Sequence, residues 1–551
     1  MRNIYKTILI VFAGLILANC SEDFLETKPI ALETTETFYY NQAGADAAIT
    51  AVYSQLCSRD IWDKYYLMSM GSIASDDAEA GGANANDMPF WAQDIDKLIH
   101  LPTNIEIFEY TWAYMYKGIY YANIVLENIP GIKETDTEAD PARIDQYVAE
   151  AKFMRALYHF ALCQIFGEVP MVDHVLQPSE FEQSRSSFKD LFDFMEKDLK
   201  EAAAALPTSY SGLDVGRATK GAANALLAKI LVYQSSYAKN YPGDSRFTGL
   251  TQRWDEALQA AELVINSNAY KLVGVDGETY STWWSPNTGG YRYAFTVDGD
   301  NCPESIFEIQ NVQDGLGWTS TRGNYFTIFS TVRGYFDASG TSVSWGWGFN
   351  CPTQDLLDAY EVGDPRVATT IGKSGDSVLV GTNEWYEMDF SASPTSMSCR
   401  KYECSPDEYW GPKGDWQEGP MNLRVIRYAD LVLFAAEAAF ESGNNTKALE
   451  YINMVRKRAR LSGGPSNTVP ADLTSLTLDD IVKERRLELA LEGHRFFDLV
   501  RWRLAEEKID GTQLLGGTFT VDYQAPKHDF YPLPDVEVTM SGQKLVQYPG
   551  W

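Results

Sequence analysis

The feature that most limits what this chain can fold into is a set of helical stripes whose contact positions are crowded with alanine. A run from Ala222 to Tyr237 is followed by Trp254, Ala257, Leu258, Ala261, Val264 and Ile265. A second run, Leu431, Phe434, Ala435, Ala438 and Ala439, turns at Gly443 and continues as Ala448, Ile452, Val455 and Ala459. Apolar residues three and four apart lie on one face of an α-helix, and alanine on that face lets two helices approach closely. Further stripes are Phe153, Ala156, Leu157, Phe160, Ala161 and Ile165, ending at Gly167, and Phe188, Leu191, Phe192, Met195, Leu199 and Ala202. Ser187 with Asp190 opens the latter as a capping pattern, and Pro207 closes it. These stripes predict core faces, not sites.

Helix pairs of this kind, with small residues at the contacts and a repeat of about 34 residues, resemble the tetratricopeptide repeat. A single pair cannot bury its second face, so neighbours must stack on it. The expectation is a mostly α chain: a tetratricopeptide-like, right-handed helical-repeat scaffold over about 36–270 and 423–551. From about 271 to 422 helical periodicity fades into glycine, serine, proline and aromatic residues, and Ser305–Gln310 reads as a short strand. This predicts a loop-rich, short-stranded, ligand-binding insertion within one domain spanning 20–551. A loop region of that length inside a compact protein is usually functional. Eight of the fourteen tryptophans fall in it.

The N-terminus has its own logic. Arg2 and Lys6 precede an apolar run from Ile8 to Ala18, which Leu17-Ala18-Asn19-Cys20 closes. That run is too short to span a bilayer, which needs roughly twenty apolar residues, and it has the layout of a secretory signal covering 1–19. Its end resembles a bacterial lipobox, in which the cysteine, here Cys20, is acylated after cleavage; Asn19 departs from the usual Gly, Ala or Ser. Ser21-Glu22-Asp23 resembles the surface-export signal of Bacteroidetes lipoproteins. One acyl chain anchors only marginally, at about 0.8 kcal/mol per buried CH₂, so firm attachment implies multiple acylation of Cys20.

Charge narrows the partners. With 76 acidic against 46 basic residues the net charge is −30, and a field of that sign repels nucleic acid and other polyanions. Six cysteines remain besides Cys20, an even number that permits disulfides in an exported protein, with Cys399 and Cys404 the closest pair. Cys163, on a helical stripe, reads instead as a small buried hydrophobe. The five histidines show no ligand spacing with the cysteines or with one another. No metal or cofactor is expected.

Several segments together resemble the SusD/RagB family. They are Ala149 to Tyr158 running on to Phe166-Gly167-Glu168-Val169-Pro170; Arg217-Ala218-Thr219-Lys220-Gly221 through Lys229; Gly363-Asp364-Pro365-Arg366; Val425 to Asp430; Asn453 to Arg458; Glu484 to Trp502; and Phe530 to Pro534 with Gln547 to Gly550. These blocks run in the family's order over nearly the whole mature chain. The resemblance implies a lipid-anchored protein on the outer face of the outer membrane. It would bind nutrient, typically an oligosaccharide, over a SusC-like TonB-dependent transporter, without catalysis. Part of the family resembles a peptide-uptake component, so peptide is the alternative ligand, and glycoside hydrolysis is the competing reading from another class.

The ionisable side chains of Glu484 to Trp502 read as structural ion pairs and caps, with Thr477 and Asp480 opening that helix. The candidate site residues lie elsewhere. Asp76 and Asp77, before Ala80-Gly81-Gly82, are candidate acceptors for sugar hydroxyls; adjacent carboxylates rarely meet the spacing a hydrolase needs. Trp283, Trp284, Trp318 with Tyr325, Trp345 and Trp347 are candidate stacking surfaces, because an indole offers a wide apolar face to the C–H side of a sugar ring, and each lies beside small or polar residues. Trp91 joins them from the N-terminal part. Trp254 is assigned to the core.

Overall fold

In the computed structural model, the structure describes residues 38–58, 61–82, 87, 89–316, 322–330, 333, 335–336, 342–343, 346–380, 384–390, 393–404 and 419–551. Its frame is a stack of α-helices: α1 (Gln42–Ser54), α2 (Tyr110–Asn128), α3 (Pro141–Phe166), α4 (Phe188–Ala205), α5 (Lys220–Asn240), α6 (Trp254–Ile265), α7 (Tyr428–Glu441), α8 (Asn445–Leu461), α9 (Leu478–Glu488) and α10 (Arg495–Arg501). Each helix from α1 to α8 packs against the next, and α6 packs directly on α7 across the whole intervening loop-rich region. The solenoid therefore continues as though that region had been inserted at one of its turns.

The alanine stripes meet where expected. Ala222, Ala225 and Ala228 on α5, Ala257 and Ala261 on α6, and Ala435, Ala438 and Ala439 on α7 are all buried, as is Trp254. Helix starts are capped by side chains that satisfy backbone N–H groups left over in the first turn: Asp140 for α3, with Pro141 at its first position, Ser187 for α4, Thr219 for α5 and Thr477 for α9. Gly167 ends α3 at a φ of 72°, where a Cβ would fall 2.5 Å from the Tyr548 hydroxyl. That hydroxyl instead accepts from the Glu168 N–H.

The region between α6 and α7 is built from short ladders and helices of one or two turns. The strands needed below are β1 (Ala78–Gly81), β2 (Ser305–Ile309), β3 (Phe349–Pro352), β4 (Ile371–Lys373), β5 (Met397–Cys399) and β6 (Leu423–Arg427). β2 pairs antiparallel with β6, closing the base of the region; β1 pairs with β3, and β4 with β5. Val273, Tyr291, Ala294, Phe295 and Cys302 form a small satellite core separate from the main one. The six described cysteines are free thiols, so Cys399 and Cys404 are not bridged, and Cys163 is buried in α3. Among the described residues no helix is long and apolar enough to cross a membrane.

Buried ions join the two parts. Arg427, at the end of β6, reaches Glu304 at 2.5 Å, Glu488 at 3.2 Å and Glu492 at 2.7 Å. Arg366 binds Asp364 at 2.7 Å and Glu484 at 2.6 Å, Lys401 binds Glu492 at 2.8 Å, and Arg458 pairs with Glu304 and Glu488. On the far side of α9, Arg485 and Arg501 share Asp498, and Arg501 also holds Glu437. The charged block from Glu484 to Trp502 is thus structural. Burial alone would raise the Glu492 carboxyl, but Arg427 and Lys401 hold it down to about 2.

Candidate functional site

The site is built around a wide helix of i→i+5 hydrogen bonds, Ile61–Ile73, of which every residue except Lys64 is buried. π-helical turns are rare and concentrate at functional positions. The chain then runs through Asp76 and Asp77 into β1. Asp76 takes a bidentate pair of 2.7 Å hydrogen bonds from Arg495, and Asp77 accepts at 2.6 Å from Arg486. Burial opposes charge on both carboxyls; Arg495 outweighs it at Asp76, whose carboxyl falls below its usual value, whereas burial and the neighbouring Asp76 raise Asp77. The expectation that these carboxylates meet sugar hydroxyls is corrected: they are buried and committed to α9 and α10, where they lock the N-terminal segment in place.

β1 carries that segment onto the inserted region. The Thr353 N–H and hydroxyl donate to the Asp77 and Asp76 carbonyls at 2.9 and 2.8 Å. Gly81, with a φ of 89°, passes so close to β3 that a Cβ would lie 2.4 Å from the Gly348 carbonyl oxygen and 2.5 Å from the Cys351 sulfur. Only glycine fits there. Asp63 accepts from the Tyr325 N–H at 2.8 Å, fixing the start of the short helix Tyr325–Ser330, and the Trp347 N–H donates to the Ile328 carbonyl at 2.8 Å.

The result is an aromatic face shared by both parts of the chain. The Lys64 ammonium lies 4.7 Å from the Tyr65 ring, 4.9 Å from Trp91 and 5.2 Å from Phe329, each within cation–π range. Trp347 stands edge-on to Phe329 at 4.9 Å and to Phe349 at 5.8 Å. Trp347 and Lys64 are half-buried, while Tyr65, Trp91, Phe329 and Phe349 are buried behind them. Arg333, paired with Asp87, runs against Gly348, the residue after Trp347. A half-buried indole packed on Phe329, with the Lys64 ammonium over that same ring and the Arg333–Asp87 pair at the neighbouring Gly348, offers an apolar surface with donors and acceptors nearby.

Of the predicted residues, Trp91, Tyr325 and Trp347 converge here, and of these three only Trp347 keeps part of its surface exposed. Trp91 is corrected from a stacking surface to a backing one, 3% exposed and edge-on to Tyr65, and Tyr325, at 4%, is likewise buried. Trp283 and Trp284 are half-buried and sit instead against guanidinium groups, Trp284 lying 4.5 Å from Arg292 and 4.2 Å from Arg400. Trp318, Trp345 and Cys20 lie outside the described residues. Lys64, Asp87 and Arg333 were not singled out from sequence. The one available signal was the charged pair Asp63-Lys64 inside an otherwise apolar and aromatic stretch.

Comparison with known proteins agrees with this architecture. Residues 303–551 match the SusD family, and residues 23–232 match a family described as "Starch-binding associating with outer membrane". A SusD-like protein of Bacteroides ovatus is 27% identical over 523 residues, 91% of this chain and 83% of that protein. SusD-like protein P2 of Formosa agariphila is 25% identical over 562 residues, 99% of each chain. Among solved structures, a laminarin binding SusD-like protein superposes with a TM-score of 0.71 at 28% identity, covering 93% of this chain and all of that one (100%).

Proposed function

This chain belongs to the SusD family, and from that membership we propose that it captures a nutrient oligosaccharide or polysaccharide at the cell surface and passes it, uncleaved, to a SusC-like TonB-dependent transporter. The observation that carries the reading is the half-buried Trp347 indole, held against Phe329, with Lys64 over the same Phe329 ring and the Asp87–Arg333 pair at the adjacent Gly348. Stacking supplies contact area that tolerates many sugars. The polar border then selects among hydroxyl patterns by hydrogen bonding.

Three further points support it. The laminarin-binding relative shares the fold at 28% identity. The carboxylates a hydrolase reading would enlist, Asp76 and Asp77, are each bound to an arginine and do not flank a bond to be cut. The signal-like segment ending in Cys20, with the outer-membrane description of the matching family, supports a lipid tether that keeps the body beside its transporter.

The test is affinity electrophoresis of the soluble body through gels containing laminarin, starch, xylan, mannan or pectic galactan. Retardation by at least one is expected, abolished in Trp347→Ala and weakened several-fold in Lys64→Ala. Retardation by none, with binding to a peptide mixture in calorimetry, would transfer the reading to peptide uptake. For the transporter, co-purification of a large β-barrel with the lipidated protein is expected.

A further inference from the structure

A second concave surface lies on the same inserted region. Two short helices, Gln354–Ala359 and Arg366–Thr370, and strand β4 line a cleft of about 750 Å³. Leu357, Val367 and Ile371 line it with apolar surface, and the Tyr360 ring lies beside them. Most ions around it are already spent on the fold: Glu361 holds Arg456 at 2.7 Å, Asp364 holds Arg366, and Arg400 donates through Nε to Glu403 and through Nη2 to Ser377.

What remains unspent is a balanced set. Lys373 is exposed and its ammonium has no partner among the described residues. Asp358 is engaged only through one oxygen, by Gln354, and Asp376 through one oxygen by the Lys373 N–H. Arg400 is 3% exposed, its guanidinium rests 4.2 Å from the Trp284 ring, and its Nη1 has no partner among the described residues. A buried guanidinium kept in register by three neighbours, with one donor edge left over in a cleft, is a built hydrogen-bonding feature and not a stray surface charge.

The mixture also sorts possible ligands. An anionic group near Lys373 would meet Asp358, Glu361 and Asp376, and a cation would meet Lys373 and Arg400. A hydroxyl both donates and accepts, so an uncharged polyhydroxylated ring suits donors and acceptors standing side by side over an apolar floor. Strand β5 connects the two surfaces: it contacts β3, which follows Trp347, and pairs with β4, which carries Ile371 and Lys373. The cleft is therefore one strand removed from the aromatic face.

We propose that this cleft is a second carbohydrate contact, taking a neutral sugar unit of the same glycan that stacks on Trp347, with the Arg400 Nη1, Lys373 and Asp358 reading its hydroxyls. The inference rests on the glycan-capture reading above. Two contacts on one chain raise the apparent affinity for long glycans over short ones, because the second binds at high effective concentration. Length preference would then be a property of the insertion.

The test uses whichever neutral polysaccharide retards the wild-type protein, together with its trisaccharide, in calorimetry on wild type, Ala368→Trp and Lys373→Ala. Ala368 is an exposed residue on the lip, so an indole there fills the cleft without entering the core. Both variants are expected to lower the ratio of polymer to trisaccharide affinity, Ala368→Trp by about tenfold. Hydrogen exchange of residues 366–376 should slow when wild type binds polymer. Wild-type ratios in both variants, with no protection of 366–376 while Trp347→Ala still abolishes binding, would overturn the second contact alone. Failure of the wild type to bind any neutral glycan would overturn both readings.

Discussion

The scaffold and its insertion are held together by different physics. The scaffold buries alanine and larger apolar side chains between helices adjacent in sequence, and several of its helices, α4, α5 and α9 among them, are capped by a side chain next to them in the chain. The insertion is made of two-stranded ladders, which are marginal by themselves, around a satellite core of five buried residues. It joins the scaffold through apolar residues of the main core, such as Phe307, Phe326, Phe349 and Ile371, and through the buried network of Arg366, Lys401, Arg427 and Arg458 against Glu304, Glu484, Glu488 and Glu492. Apolar packing is forgiving of sequence and blind to direction. Arg–carboxylate forks fix orientation, which suits a region that must present a binding face at a set angle.

That contrast is broken most severely at Arg427. Arg427→Ala leaves Glu304 and Glu488 to share Arg458 and Glu492 to rely on Lys401, an excess of buried negative charge that should cost about 3–5 kcal/mol. Urea denaturation is expected to show the drop, and proteolysis of the folded variant should cut within 271–422 first. An unchanged midpoint would mean that the ion network does not dock the insertion.

Acid should act on the scaffold next. His100, His159, His494 and His528 all lie outside the insertion, and burial pushes their imidazoles down to about 3, 4, 4 and 4. Below the unfolded value of about 6.5 the unfolded chain binds protons that the folded chain refuses, so stability is full above that pH and falls towards pH 4. Glu492 extends the loss, as its contribution disappears between about 4.5 and 2. Melting temperature followed from pH 7.5 to 4 should fall, by the equivalent of several kcal/mol of stability less the opposing contribution of Asp300, whose carboxyl burial raises to about 7, because each tenfold difference in proton affinity between folded and unfolded chain is worth about 1.4 kcal/mol. A flat profile would contradict the burial of these rings.

Packing sets a smaller effect. Ala435 is wholly buried between helices, and Ala435→Leu should cost about 1–3 kcal/mol by overpacking. Ala368→Leu on the insertion's exposed lip should stay within about 0.5 kcal/mol, and equal costs would erase the distinction. Smallest in stability but decisive in function is Trp347→Ala: a half-buried ring at the edge should cost about 1 kcal/mol, while glycan retardation in affinity gels disappears.

Much of the scaffold was legible because its information is local. The stripe from Phe188 to Ala202 and the cap at Ser187 involve residues within one helix, and Ser305–Ile309 declares itself a strand by composition. The site was legible only in kind. An aromatic-rich insertion with tryptophans was evident, but Trp91 and Trp347 look equally suited to stacking until the fold buries one beside Lys64 and Tyr65 and leaves the other half-buried. Asp76 and Asp77 misled for the same reason: their partners, Arg495 and Arg486, are more than four hundred positions away (|i−j| of 419 and 409).

By itself the sequence determined the helical stack, its alanine contacts and the ion-pairing character of the block from Glu484 to Trp502. Those properties follow from spacing and residue type within a few turns. Only the tertiary structure decided which indoles are buried and which stay partly exposed, which carboxylates are spent on anchoring, and that Lys64 lies over the Phe329 ring on which Trp347 packs. Exposure and charge pairing are set by neighbours distant in the chain, and a side chain's role stays undetermined until those neighbours are in place.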